Sequence, residues 1–277
     1  MDITLTFDAA YASHAAVVMS TVAESNPGRS IRYWLIAADN VTTAARAILT
    51  EAAGPDASVK YLRVDASRVS LPRSSDPVMS YLSSAMYLRL LVPAALPADV
   101  RRVLYLDCDT MCTNTLAPLF DVDMGGTPLG AVMDPFNRRL LDMGGIPGLA
   151  GYPDLDPWAL YFNSGVLLID VLRWKEYEVT EKSLSYLARH ARESRYPDQD
   201  ALNYAVYGNW LRLPRQWNDL MAWRREPEFG GKLSDSAVVH PAGPIKPWQA
   251  GFPKGARRDL YWRHRRRHGG LVITTRR

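Results

Sequence analysis

Cysteine is nearly absent from this chain: of 277 residues only Cys108 and Cys112 carry a thiol. Two thiols are too few for a disulfide framework or a cysteine-rich zinc site and too openly spaced for a CxxC pair, so both read as reduced packing residues. Histidine is scarce as well, with five in the chain, so an imidazole ligand has few candidates. No apolar run approaches the roughly 20 residues needed to span a bilayer. The opening MDITLTFDAAYASHAAVV carries Asp2 and Asp8 where a secretory signal would carry cations. These absences lead us to expect a cytoplasmic protein. Neither GxxxxGK nor GxGxxG occurs, so a phosphate site would use neither familiar glycine loop. Internal repeats and low-complexity stretches are also missing.

What is present is a chain able to bury a sizeable core, with 47% hydrophobic residues. Its net charge of +4 is unevenly placed. Residues 256–277 hold eight arginines against Asp259, a balance of +7 that leaves −3 for the first 255 residues. The body therefore gives no signal for nucleic-acid binding. We expect one domain over 1–255 and a basic tail over 256–277. That tail interleaves arginine with Leu260, Tyr261 and Trp262. It reads either as a solvated appendage or as a segment resting on an anionic membrane surface, which would put the protein at the inner face of the membrane.

Strand-like and helix-like patterns alternate through the first half. Ile3 to Phe7 reads as a strand, and Ser13 is a candidate N-cap for the helix that follows. Then come strand IRYWLIA, a helix over Thr43 to Ala53 stopped by Gly54-Pro55, strand SVKYLRV, a helix around Pro77 to Leu91, and strand RVLYL. Such alternation predicts a mostly parallel sheet covered on both faces. In these sheets ligands bind beyond the carboxyl ends of the strands, where Asp107 and Asp109 of VLYLDCDTMC fall. After Pro118 the pattern loosens into strand PLGAVMD, a Gly/Pro-rich loop from Gly144 to Pro157, strand GVLLID, helices near Glu181 to Ala191 and Gln199 to Tyr207, and a short strand AVVH.

Residues at i and i+2 of an extended segment point to the same side, so Asp107 and Asp109 can converge. Converging carboxylates repel unless a cation or strong donors sit between them, which suggests a metal. The competing reading is a strand end whose aspartates cap turns. Among the histidines, His240 closes an apolar run in VVHPAGPIKPW. An imidazole added to two carboxylates suits Mn²⁺ better than Mg²⁺, although a satisfied histidine at a strand end explains it equally. Lys246 and Gly243 supply a cation and a bare backbone for close approach, the parts needed to hold a diphosphate. In PDQDALN, Asp198, Gln199 and Asp200 open a helix. The helix dipole alone favours acids there, or they contact sugar hydroxyls. Asn163 and Ser164 in YFNSGVLLID read as a turn or as site residues.

Taken in order, FDAAY, YLRL, VLYLDCDT, GAVMD, YFNSGVLLID, PDQDALN and HPAGPIKPW resemble glycosyltransferase family 8, the retaining family that includes bacterial lipopolysaccharide α-galactosyl- and glucosyltransferases and glycogenin. The resemblance runs from Met1 to Trp248. It implies a GT-A fold: one Rossmann-like α/β domain with a mixed central sheet, in which a nucleotide-binding half runs into an acceptor-binding half. It also implies a UDP-hexose donor, Mn²⁺ with Mg²⁺ as a substitute, and a hydroxyl-bearing acceptor. By the same resemblance, Asp107, Asp109 and His240 would be metal ligands, and Asp8 and Tyr11 uracil contacts. Cys108 would contribute mainly backbone to the donor site. Gly243 and Lys246 would hold phosphate, with Arg89, Asn163, Asp198 and Gln199 around the donor sugar. Asp134, Tyr81 and Tyr196 would face the acceptor, and Gln199, Asp198 and Asp134 would be the candidates for chemistry. Ala9 and Ala10 replace the family's frequent Asp-Asn, which removes an expected ribose contact. A metal-dependent phosphotransferase or phosphatase and a non-catalytic nucleotide-sugar-binding module are the alternatives.

Overall fold

The computed structural model describes residues 1–38, 41–65, 84–220 and 235–268. Its first three strands, β1 (Asp2–Phe7), β2 (Ile31–Ala37) and β3 (Ala57–Leu62), are parallel, and β1 also runs parallel to β4 (Arg102–Leu106). With β6 (Leu129–Met133), β7 (Phe162–Asp170) and β8 (Leu211–Arg212) they form a seven-stranded sheet in the order β3-β2-β1-β4-β7-β6-β8. The middle strand β4 pairs antiparallel with β7. The sheet thus changes direction where Asp107 leaves β4, and the start of β7 is brought beside it.

Side chains alternate across this sheet because successive strand residues point to opposite faces. Ile3, Leu5, Leu104, Leu106 and Leu168 enter one core, beneath α1 (Ala12–Ser25) and α2 (Thr43–Ala53). Trp34, Ile36, Val103, Tyr105 and Leu167 enter the other, beneath a 3₁₀ segment (Ser84–Leu91), α6 (Val179–His190) and α7 (Pro197–Val206). Burial on both faces is what near-continuous apolar strands such as RVLYL require.

Local chemistry moves some expected boundaries. Asp8, not Ser13, begins the first helical segment: its side chain accepts a hydrogen bond from the backbone N of Tyr11 (3.1 Å), and a 3₁₀ turn over Ala9–Tyr11 leads into α1, where Ser13 is buried. The helix expected around Pro77 to Leu91 is described only from Ser84, as the 3₁₀ segment. Helix α7 starts at Pro197 rather than Gln199, because proline suits the first helical turn. Asn163 and Ser164 are not a turn but part of β7. The β6–β7 register shifts between Ala131 and Val132, so that Val132 faces Asn163 while Ala131 faces Leu167. That bulge re-aims the Asn163–Gly165 segment toward Asp107, whose backbone N donates to the Gly165 carbonyl (2.8 Å).

A second, small sheet returns the chain to the same point. β10 (Val238–His240) lies between β5 (Met111–Cys112), antiparallel, and β9 (Asp219–Leu220), parallel. Since Val239 pairs with Met111, His240 emerges beside Asp109.

The reading of residues 256–277 as an appendage needs correction for its described part. Ala256–Arg267 is a helix, α8, docked on α1. Leu260, Tyr261 and His264 are buried, His14 Nδ1 and Tyr261 Oη lie 2.7 Å apart, and Arg263 and Arg267 both pair with Glu24. Two of the apolar side chains offered for a membrane surface are thus spent on the protein's own core. Among the described residues no helix is long and apolar enough to cross a membrane.

Candidate active site

Asp107 and Asp109 leave β4 at the sheet's directional switch, and their oxygens meet His240 as expected. One ligand atom from each of Asp107, Asp109 and His240 lies within 4.8 Å of the others. His240 Nε2 is 3.2 Å from Asp109 Oδ1. Its Nδ1 is 2.9 Å from Asn218 Oδ1, whose amide nitrogen in turn donates to Asn163 Oδ1 (2.9 Å). An acceptor oxygen at Nδ1 places a proton there, and the Nε2 edge then faces the two carboxylates. Imidazoles that bind metals are oriented in this way. The donor set of two carboxylates and one imidazole therefore fits a divalent ion such as Mn²⁺.

Each carboxylate also has a cation of its own, which sequence alone did not reveal. Arg89 Nη2 pairs with Asp107 Oδ1 (2.9 Å), and its Nε pairs with Asp198 Oδ2 (3.0 Å). Lys246 Nζ pairs with Asp109 Oδ2 (2.5 Å) and also donates to the Pro241 carbonyl. Arg89 and Lys246 are buried, so the pairs are little screened. Burial would raise the Asp109 carboxyl, but Lys246 and His240 outweigh it and hold it well below the usual carboxylate range. Burial raises Asp107 above its ordinary value, with Arg89 opposing. Tyr105 Oη donates to Asp107 Oδ1 (2.6 Å) and fixes that oxygen.

A cavity of about 340 Å³ opens beside these groups and is lined by Arg89, Asp107, Asp109, Asp134, Asn163, Tyr196, Asp198, Gln199, His240, Gly243 and Lys246. In the same cavity a hydrogen-bonded block holds the polar side chains still. Gln199 Nε2 donates to Asp134 Oδ2 (3.2 Å), while Gln199 Oε1 accepts from Asn163 Nδ2 (2.9 Å) and Ser164 N (3.0 Å). Asp134 Oδ1 accepts from the backbone N of Phe136 and Asn137. Burial raises the Asp134 carboxyl. A narrower cleft of about 110 Å³, lined by Asp8, Tyr11, Cys108, Arg89, Asp107, Asp109 and Lys246, continues from the same groups toward β1. There the Tyr11 ring meets His14 and Trp248 edge-on, and His14 stacks on Trp248 with centroids 3.8 Å apart. Gly243, at φ +125°, adopts backbone that an L side chain resists.

The structure therefore gathers all the expected site residues around one cleft except Tyr81, which lies outside the described residues. Sequence reasoning missed three contributors. Asn218 orients His240 and had no motif to mark it. Tyr105 was read only as part of the strand RVLYL. Gly165 was read only as the start of a strand, yet a Cβ there would stand 2.2 Å from His240 Cε1 and 2.8 Å from Asp107 Oδ2. A glycine inside a strand is the signal that could have flagged a close approach.

Asp200, grouped with Asp198 and Gln199 by sequence, turns away from the carboxylate pair and accepts from Tyr161 Oη (2.6 Å). Burial, reinforced by Asp198, pushes its carboxyl up to about 7. An unfolded aspartate titrates near 3.9, so between about pH 4 and 7 the folded protein holds a proton that the unfolded chain has lost. This group's contribution to stability is complete below that window and declines as pH rises through it. Asp200→Asn should flatten the decline by up to about 1.4 kcal/mol per pH unit. Urea unfolding of both proteins at pH 5 and pH 8 measures the difference.

Comparison with known proteins identifies the family and the fold. The sequence profile of glycosyl transferase family 8 matches residues 2–251. Lipopolysaccharide 1,2-glucosyltransferase of Escherichia coli K12 is 31% identical over 181 residues, covering 62% of this chain and 51% of that protein, so the match spans about half the relative's length. General stress protein A of Bacillus subtilis is 27% identical over 220 residues, 74% of this chain and 72% of the relative. Among solved structures, the galactosyltransferase LgtC in complex with donor and acceptor sugar analogues superposes with a TM-score of 0.77 at 26% identity, covering 96% of each chain. An active-site mutant of LgtC superposes at 0.78 with 24% identity, covering 100% of this chain and 98% of that one. The mixed sheet that turns antiparallel at β4 is thus the GT-A fold, and the chain belongs to glycosyltransferase family 8.

Proposed function

We propose that the protein transfers a hexose, glucose or galactose, from a UDP-sugar to a hydroxyl of a saccharide acceptor, with retention at the anomeric carbon and with Mn²⁺ as cofactor. The observation that carries the reading is the branching of one cleft at a charged junction. Asp107, Asp109, His240 and Lys246 occupy the junction, Asp8 and Tyr11 the narrow arm, and Asp134, Asn163, Asp198 and Gln199 the wide one. A nucleoside diphosphate sugar laid along it puts the base in the narrow arm, the phosphates at the junction and the sugar in the wide arm. The relatives' printed names, a lipopolysaccharide glucosyltransferase and a galactosyltransferase holding donor and acceptor analogues, support glucose or galactose and a glycan of lipopolysaccharide type. Such an acceptor fits a cytoplasmic enzyme working near the inner face of the membrane.

Asp107, Asp109 and His240 would hold the metal, which when bound neutralises charge on the diphosphate. Lys246 and Arg89 add fixed positive charge, aimed where negative charge grows as UDP departs, a term that commonly dominates such catalysis. The Gln199 carbonyl already accepts from Asn163 and Ser164, Asp134 is held by four donors, and Asp198 is paired with Arg89. With these groups committed, attack from the face of departure is favoured over a covalent intermediate. The bond from the anomeric carbon to the phosphate oxygen breaks, the bond to the acceptor oxygen forms, and the acceptor proton passes to the leaving phosphate.

The test measures UDP and phosphate release from a panel of UDP-sugars, with Mn²⁺ and with EDTA. UDP release that requires Mn²⁺, with product of unchanged anomeric configuration by NMR, is expected. Free phosphate would instead mark a phosphatase, and release of neither a binding module.

A further inference from the structure

A second cavity, of about 290 Å³, lies against the first and shares Phe136 and Leu220 with it. We infer that it is an acceptor subsite for a phosphate-bearing saccharide, an inference that rests on the transfer reading above. Its floor is apolar, with Val132, Met133 and Leu213, and three arginines, Arg138, Arg212 and Arg215, line it, with no carboxylate among the described lining residues. Apolar walls with a few convergent polar groups are the usual composition of a small-molecule site. Here the charged groups among the described lining residues are all positive, which favours an anion.

The three arginines are not equivalent. Arg215 is engaged by Asp219 through Nε (2.8 Å) and Nη2 (2.7 Å). Arg138 and Arg212 are exposed, and no side chain among the described residues pairs with either guanidinium. Their backbones are nevertheless held. Asp142 Oδ2 accepts from the N–H groups of Arg138 (2.7 Å) and Arg139 (3.0 Å), and Arg212 is registered against Ala131 in the β6–β8 pair. Two guanidinium forks on fixed backbone suit phosphate, whose oxygens accept paired N–H bonds.

Continuity with the wide arm argues for an acceptor rather than a donor group. Phe136 is 43% exposed and lines both cavities, so an apolar ring face stands between them for a sugar to pack on. Asn218, which orients His240, lines the second cavity from the protein side. A saccharide reaching from Asp134 across Phe136 would bring a phosphate substituent on a neighbouring position to Arg138 and Arg212.

The test uses the full chain with saturating UDP, so that the diphosphate site is filled. Calorimetry compares glucose 6-phosphate, glucose and inorganic phosphate, and repeats the series with Arg138→Gln/Arg212→Gln, or with Arg212→Gln alone if the thermal midpoint shows that the double variant does not fold. Glucose 6-phosphate is expected to bind about tenfold or more tightly than either other probe, and the variant is expected to lose that preference, since hydrogen bonds to charged groups carry most of it. Equal binding by variant and wild type overturns the subsite, as does equal binding of the sugar with and without phosphate. Inorganic phosphate binding as tightly as the sugar phosphate reduces the cavity to an anion site and overturns the saccharide claim. UDP release by the wild type is scored separately. If none of the donors releases UDP while glucose 6-phosphate discriminates as expected, the transfer reading fails. If UDP is released without discrimination, only the subsite fails.

Discussion

Asp109→Asn is expected to lower Mn²⁺-dependent transfer by two to three orders of magnitude, the usual cost of removing one preorganised charge-stabilising group. Asp109 is the residue on which three positive or potentially positive groups converge: Lys246 at 2.5 Å, His240 at 3.2 Å, and the metal that the donor set fits. The amide keeps the volume and an acceptor oxygen but not the charge. Lys246 is then left buried without its counter-ion, a change that costs about 3–5 kcal/mol when one partner of a buried pair is removed. Two measurements separate the effects. Thermal unfolding reports the lost pair, and Mn²⁺ affinity, read by electron paramagnetic resonance, reports the lost ligand. Near-normal turnover in the folded variant would sink the metal assignment.

Gly165→Ala is the second large effect, and it acts without changing any polar group. The added Cβ would sit 2.2 Å from His240 Cε1 and 2.8 Å from both His240 Nδ1 and Asp107 Oδ2, closer than folded proteins tolerate. His240 has little room to retreat, because it is 3% exposed and its Nδ1 is held by Asn218. Overpacking of this kind costs about 1–3 kcal/mol. Displacing a catalytic group by an ångström costs about 10²-fold in rate. We expect transfer to fall about 100-fold with UDP binding in the narrow arm largely retained, so kcat carries the loss. A variant with wild-type kcat and wild-type Mn²⁺ affinity would show that the ligand cluster is not packed on Gly165 as described.

The two predictions differ in how they could have been reached. Asp109 was legible because an apolar strand ending in DxD has a local cause: strand geometry puts alternate side chains on one side. The same local logic made the parallel half of the sheet legible, since IRYWLIA and RVLYL are short apolar runs of buried-strand length and Gly54 follows a helical pattern as a helix stop. Gly165 was not legible as a site residue. Its constraint comes from β7 pairing antiparallel with β4 and bulging against β6, a property of three strands that lie far apart in sequence.

The C-terminal helix shows the same division. Arginines interleaved with Leu260, Tyr261 and Trp262 have the pattern of a membrane-surface segment, and only the docking of α8 on α1 shows that Tyr261 meets His14 and that Arg263 and Arg267 meet Glu24. By itself the sequence determined the main strands and helices of the parallel half, where the acidic pair stands, and which histidine and lysine could join it, because each follows from periodicity, chain termination or side-chain chemistry. Only the tertiary structure decided that Arg89 and Lys246 neutralise the two aspartates separately, that Asn218 turns His240 toward them, and that Gln199 and Asp134 are locked in one network. Those partners lie between 18 and 137 residues apart in the chain, so folding, not local sequence, brings them within hydrogen-bond reach.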